Sequence, residues 1–296
     1  MTPHARGLLL TAIGGTALSF DIPMIKLGGG DPWSAMLLRS GSAFIAALVI
    51  WQIAQRLTGR TIILLPGRVG YAIAGIYGLT VVAFVIAVMN TDAANVAFII
   101  AFTPAFTALM SWFFLKERPS LATVLTILAM MVAVGIIVAD GLRAGNLLGD
   151  MFALAASLLI SSVITISRAS RADVGFAPMI GGIVPALIAA IVLGWQGAPV
   201  SADNAFWHVF NGVVLLPVAY WCLATGPKYI SAPEVSMFYL LETVLAPVWV
   251  WLIFAEAPTP AVLLGGALLI GALGAHALWQ LNGAGRRAQS SPTKAP

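Results

Sequence analysis

The sequence predicts an all-α integral membrane protein, with about ten transmembrane helices in two inverted five-helix repeats and both termini cytoplasmic. Three observations carry that expectation. Of 296 residues 60% are hydrophobic and only 9% charged, at a mean hydropathy of +0.98. A water-soluble chain of this length needs far more charge to cover its surface, whereas a lipid-facing one does not. Apolar runs of helical length follow one another with short polar links. The third observation is a set of motifs that recurs at one fixed shift along the chain.

Crossing the hydrocarbon core takes about 20 mostly apolar residues in a helix. In the first half such runs lie at 5–27, 32–55, 69–90, 93–115 and 120–140. In the second they lie at 146–168, 175–195, 204–226, 231–255 and 258–281. The links carry turn chemistry, as in Gly28-Gly29-Gly30-Asp31-Pro32, Arg118-Pro119-Ser120 and Gly197-Ala198-Pro199. Met1 to Arg6 and the run behind them open like a signal peptide. No A-x-A-like site closes a short core before Lys26, so the run reads as the first span. Residues 282–296, with Arg286, Arg287 and Pro292, are expected to form a disordered cytoplasmic tail.

Orientation follows from the basic residues. Alternating links gather Arg6, Arg56, Arg60, Arg68, Lys116, Arg118, Arg168, Arg171, Lys228, Arg286, Arg287 and Lys294 on one side. Lys26, Arg39 and Arg143 are left for the other. The positive-inside rule makes the crowded side, and both termini, cytoplasmic. The repeat is read from Glu117-Arg118-Pro119 and Glu256-Ala257-Pro258, which stand 139 residues apart. The same shift carries Gly135 onto Gly274 and Ala93-Ala94-Asn95 onto Ala232-Pro233-Glu234. Residues 1–140 form the first repeat and 141–281 the second. Five is odd, so the second copy enters the membrane upside down, an arrangement that places a site near the midplane.

Several function classes fall away. Cys222 is the only cysteine, which excludes intrachain disulfides and thiolate clusters. His4, His208 and His276 stand far apart in sequence and read as interfacial or packing histidines, so no metal or cofactor is expected. The pI near 9.5 reflects membrane orientation, not nucleic-acid binding. No G-x-x-x-x-G-K-[ST] loop is present, and Gly28-Gly29-Gly30 is a turn, so ATP is not an energy source within this chain. A membrane-embedded enzyme calls for clustered His, Cys or Asp at a membrane face. A channel calls for rings of identical polar residues. Neither pattern is present.

The segments Thr103-Pro104-Ala105-Phe106-Thr107, Leu115-Lys116-Glu117-Arg118-Pro119, Leu240-Leu241-Glu242 and Glu256-Ala257-Pro258 carry a family likeness. Through them the chain resembles the drug/metabolite transporter superfamily, specifically its ten-helix EamA-type branch. Lys26 closing the first helix and Arg39 early in the second fit the same pattern. In the family Leu-Glu-Pro is common in the second half; here Leu241-Glu242 is followed by Thr243, with Pro247 the nearest proline. The general look is similar to the YddG-type exporters of aromatic and other amino acids. The resemblance implies export of small metabolites, amino acids among them, across a bacterial inner membrane. The expected partners are a small-molecule substrate and the lipid bilayer, for a monomer that is either facilitative or proton-coupled.

Ionisable groups inside the membrane cost about 2.5–3.5 kcal/mol on insertion scales, so each should face the bundle interior or a water cavity. Glu242 lies mid-span, with Tyr239 and Phe238 about one turn before it and Trp249 two turns after. It reads either as a substrate-amine partner or proton carrier, or as a protonated acid bonded to a neighbouring helix. Asp21, near the break that Pro23 suggests, either lines the site or pairs with Lys26. Arg39 is expected to pair with Asp21. Tyr77 and Phe84 share a face of the third helix, and Tyr220 lies on the eighth; these aromatics either wall the site or pack. Ser157, Ser161 and Thr165 form a polar stripe that either lines the cavity or bonds to preceding-turn carbonyls. Pro104, Pro185, Pro217 and Pro247 fall within spans as static kinks or hinges. The ladder Ala267, Gly271, Ala275 suits close helix packing or a dimer contact.

Overall fold

The computed structural model describes residues 2–59, 61–91, 93–138, 147–170, 172–255 and 259–289. Arg60, Arg143, Arg171, Lys294 and the motif Glu256-Ala257-Pro258 lie outside them. In the first half, α1 runs Pro3–Gly28, α2 Pro32–Thr58, α3 Gly67–Asn90 and α5 Leu121–Val138. Between them α4 is assembled from Ala93–Ile100, Thr103–Met110 and Ser111–Leu115. In the second half, α6 spans Leu147–Ser170, α7 Ala177–Gln196, α8 Ala205–Lys228, α9 Ala232–Phe254 and α10 Pro260–Gln289. Among the described residues no strand occurs. Nine of these stretches are long and apolar enough to cross a membrane, and the remaining apolar helix, Leu121–Ile137, is shorter. That is one fewer than the sequence predicts. The last helix runs past Gly283 to Gln289, where the sequence predicts a polar tail.

In hydrocarbon every backbone group needs a partner inside the protein, so an interrupted helix has to be compensated locally. Pro23 removes the N–H that would reach Ser19, and α1 breaks at Ser19–Phe20. The Ser19 hydroxyl donates to Thr16 O at 2.6 Å and accepts from Trp249 Nε1 at 2.8 Å. Phe20 stacks on the same Trp249 ring at 4.4 Å, so α9 clasps the break. Pro104 frees the Ile100 carbonyl, α4 breaks at Ala101–Phe102, and the Thr103 hydroxyl takes that carbonyl at 2.6 Å. Pro185 frees the Gly181 carbonyl where α7 breaks at Gly182. In α8 the wide turn Asn211–Leu215 leads into Pro217. Pro247 sits inside the second piece of α9, while that helix breaks earlier, at Leu240, where no proline accounts for it.

The helix pairings include α3 on α6, α5 on α10, α1 on α8 and α9, α2 on α7 and α8, α3 on α7, and α4 on α6 and on the start of α9. Advancing every helix by five turns this set of pairings into itself. Glycines set several close approaches, Gly15 and Gly78 among them. A Cβ at Gly15 would lie 2.5 Å from the Phe238 carbonyl oxygen, and one at Gly78 would lie 2.6 Å from that of Gly181. The ladder Ala267, Gly271, Ala275 instead faces outward, and Gly265 and Gly266 are the α10 glycines that pack inside. Large apolar side chains such as Leu57 (82% exposed) and Trp195 (88%) cover the outer surface, as a bilayer-facing protein requires.

One end of the bundle is laced shut by the α1–α2 and α7–α8 links. Asn204 N–H donates to Gly28 O at 2.9 Å, His208 Nε2 lies 2.9 Å from Gly29 O, and Ser201 N–H donates to Ser34 Oγ at 2.9 Å. Asp31 caps α2 through the N–H groups of Trp33 (2.9 Å) and Ser34 (3.1 Å) and the Ser34 hydroxyl. Burial pushes the Asp31 carboxyl up, but these hydrogen bonds outweigh it and hold the group below its usual range.

Candidate functional site

The break in α1 brings Asp21 to the start of a fresh helical segment in the bundle interior. There it meets Arg39 of α2 in a buried ion pair, as the sequence predicts. Asn211, in the wide turn of α8, donates from Nδ2 to the other Asp21 oxygen at 2.5 Å. Its own Oδ1 is buried with no hydrogen-bond partner. Lys26 lies with its ammonium 4.6 Å from the centre of the Phe254 ring, so the alternative Asp21 partner is engaged with α9 instead.

Around this pair gather three tyrosines and a carboxylate. Tyr77 of α3 meets Tyr220 of α8 edge to face, ring centres 5.0 Å apart. Tyr239 is close enough to interact with both of them. Glu242 follows the α9 break at Leu240 and interacts through space with Asp21 and Arg39. Tyr77 and Tyr220 are buried, whereas Glu242 and Tyr239 keep part of their surface open although they lie within the bundle. Asp21 and Arg39 compensate each other, which leaves Glu242 as the carboxylate without a dedicated cation.

Other predicted residues lie elsewhere. Phe238 is packed in the core at 5% exposure. Phe84 is 40% exposed, unlike the buried Tyr77 two turns before it. The Ser161 hydroxyl is fully buried, donating to Ser157 O at 2.7 Å and lying 3.2 Å from Thr103 O. Together with the 2.8 Å contact of Thr103 Oγ1 and Ser157 Oγ, the polar stripe fastens α6 to the broken α4. Of the four prolines, Pro104, Pro185 and Pro217 adjoin helix interruptions, and Pro247 lies within a continuous segment.

Sequence reasoning missed Asn211. An amide in the apolar run Val209–Leu216 was the available signal, since such groups in membrane helices seek polar partners. It also missed that His4 and His276 meet on Glu234, each Nε2 3.5 Å from Oε1. Beside Glu234 a cavity of about 200 Å³ opens between the end of α4 and the start of α9, lined also by Ser111, Glu117, Arg118 and Thr123. Glu117 is bridged to Arg168 at 3.3 Å. Among the described residues no three His, Cys, Asp or Glu side chains are placed to hold a metal ion.

The chain is similar to an "Uncharacterized transporter" of Clostridium kluyveri, 26% identical over 283 residues that cover 89% of each protein. A second transporter, from Archaeoglobus fulgidus, is 24% identical over 247 residues, covering 82% of this chain and 85% of that one. A protein of known crystal structure superposes with a TM-score of 0.77 at 16% identity, over 93% of this chain and 98% of that one, a likeness of fold. The model of the EamA-like transporter family matches twice, over residues 5–139 and 147–275. Two matches in tandem span nearly all the described helices, and the chain is a multi-pass membrane protein of the EamA-like transporter family.

Proposed function

We propose that the protein is a secondary exporter of amino acids, aromatic and hydrophobic ones foremost, acting as a monomer in a bacterial inner membrane. In this reading ten helices form two inverted repeats, 1–140 and 141–281, with both termini cytoplasmic, and the halves rock about a central site in alternating access. The repeat is supported by backbone features at the shift of the sequence motifs. Ala101 in the α4 break stands 139 residues before Leu240 in the α9 break, and Lys116 (φ 60°) stands equally far before Ala255 (φ 58°). The helix pairings are likewise unchanged when the halves exchange.

The observation that carries the substrate class is the convergence of Asp21, Arg39, Asn211 and Glu242 with Tyr77, Tyr220 and Tyr239. A substrate ammonium finds Glu242 and the free Asn211 Oδ1, and an aromatic or aliphatic side chain finds the tyrosine rings. A carboxylate reaches Arg39 by competing with Asp21. Glu242 is also the group suited to carry a coupled proton, because substrate and proton then compete for one carboxylate. The breaks in α1 and α9 adjoin Asp21 and Glu242, and with the break in α4 they supply points about which helix segments pivot.

The test is purified protein in liposomes, loaded with a panel of labelled amino acids and followed for efflux with and without a pH gradient. Efflux of phenylalanine, tryptophan or leucine is expected, above that of protein-free vesicles. No movement of any amino acid, with movement of another metabolite or drug class, would assign that class instead and leave the architecture standing.

A further inference from the structure

We propose that Glu234 and His276, with His4 beside them, form a proton-binding site separate from the Asp21–Arg39–Glu242 cluster. The geometry leaves one carboxylate oxygen and two ring nitrogens facing one another without hydrogen-bond partners. Glu234 Oε2 is satisfied by the Ser231 N–H at 2.8 Å and the Ser231 hydroxyl at 2.6 Å, a capping box at the start of α9. Oε1 has no hydrogen-bond partner, and neither has the Nε2 of His276 or of His4, although each nitrogen lies 3.5 Å from it. The His276 and Glu234 side chains are 2% and 4% exposed.

Thr126 of α5 lies against the other ring nitrogen of His276. In this proposal its hydroxyl gives its single proton to Ala122 O at 2.8 Å, and His276 Nδ1, at 3.2 Å from the same oxygen, donates to it. A neutral imidazole has one N–H. With that N–H at Nδ1, Nε2 confronts Oε1 lone pair against lone pair. One proton taken from water converts the contact into N–H⁺···O⁻, a charge-assisted hydrogen bond, and nothing else has to change. His4, whose side chain is 23% exposed, reaches the same oxygen from the surface and provides the path inward.

The surrounding charges do not supply this proton's partner. On α1, Arg6 lies over the Tyr229 ring at 5.3 Å. Glu117, which lines the adjacent cavity with Arg118, is bridged to Arg168 of α6, and Lys228 at the end of α8 is bridged to Asp173 at 2.9 Å. α5 brings only the hydroxyls of Thr123 and Thr126, and Glu242 of α9 belongs to the central cluster. The bound proton therefore ties α1, α9 and α10 together on the wall of the cavity that Glu234 lines.

The test uses the full-length protein in detergent and needs no transport substrate, so it stands or falls apart from the proposed export. Thermal unfolding is followed from about pH 5.5 to about pH 8, where imidazole changes charge. The proton is held by the folded state, so the melting temperature is highest at the acid end and falls by about 3–10 °C as pH rises. His276→Gln, whose amide keeps a donor at the Nε2 position without titrating, flattens this fall. Thr126→Val keeps the volume of α5 but frees the neutral ring to place its proton on Nε2, and it flattens the fall too. His208, at the laced end, contributes equally to wild type and variants and cancels in the comparison. A pH profile in Thr126→Val that matches the wild type overturns the site, as does a wild-type profile that is already flat.

Discussion

Helices α4 and α9 break at positions that correspond under one shift and end on left-handed residues that correspond under the same shift. They differ in what they carry. Where α9 has Glu242 and Glu234, α4 has Thr103 and Asn95. Thr103 joins a hydroxyl zipper with Ser157 and Ser161 of α6, in which every partner is neutral. Glu242 and Glu234 instead face titratable or charged groups drawn from α1, α2 and α10. One backbone plan thus serves as a fastener in one half and holds ionisable chemistry in the other. The family model likewise matches each half separately. The asymmetry lies in side chains, and transport chemistry is to be sought in the second copy and the helices that face it.

The strongest way to break the α9 side is to remove the cation it shares with Asp21. Arg39→Ala leaves Asp21 buried and without its cation, a change that costs about 3–5 kcal/mol. The expected outcome is a large loss of folded protein, read by size-exclusion chromatography in detergent or as a lowered melting temperature. The double variant Asp21→Asn with Arg39→Gln should recover much of that loss, because it removes both charges. If the double variant unfolds as readily as the single one, Arg39 matters for its bulk and not for its charge.

Glu242→Gln sharpens the comparison at the position where α4 has Thr103. It keeps the shape and removes the charge, so a substrate ammonium loses a charged hydrogen bond valued at about 1.5–3 kcal/mol. Efflux at low substrate concentration should fall by about 10–100-fold, while the folded yield stays near wild type. Equal transport by Glu242→Gln at every pH would remove this carboxylate from the mechanism.

Much of this fold is legible in the sequence because bilayer physics is one-dimensional: apolar length decides each span and basic links suggest its direction. The starts and ends of the first nine helices lie within a few residues of the apolar runs, and Pro23, Pro104 and Pro185 mark breaks by removing a backbone donor. The break at Leu240 has no such marker and is readable only by carrying Ala101 across the repeat. The central cluster is partly legible, since Glu242, Asp21 and Arg39 are costly in a membrane and so announce themselves. Phe84 misleads because helical spacing puts it near the Tyr77 face but does not fix its burial, and it is exposed where Tyr77 is buried. His4, Glu234 and His276 are invisible as a group because their meeting is tertiary. Each alone gives no sign of the others in the sequence.

The smallest expected effect tests the neutral side. Ser161→Ala deletes a hydroxyl from the zipper between α6 and α4, yet both of its acceptors keep other donors. Thr103 O still receives the Thr107 hydroxyl at 2.7 Å, and Ser157 O lies within the continuous helix α6, whose backbone N–H groups serve it. No buried acceptor is orphaned, so the loss should sit near the low end for one hydrogen bond, about 0.5–1 kcal/mol. Nothing in the zipper titrates near neutrality, so the loss should also be the same at acid and neutral pH. A melting-temperature difference between Ser161→Ala and wild type that changes with pH would mean that α4 is coupled to the ionisable groups of α9. The two halves would then be one electrostatic unit, not a fastener set against an ionisable site.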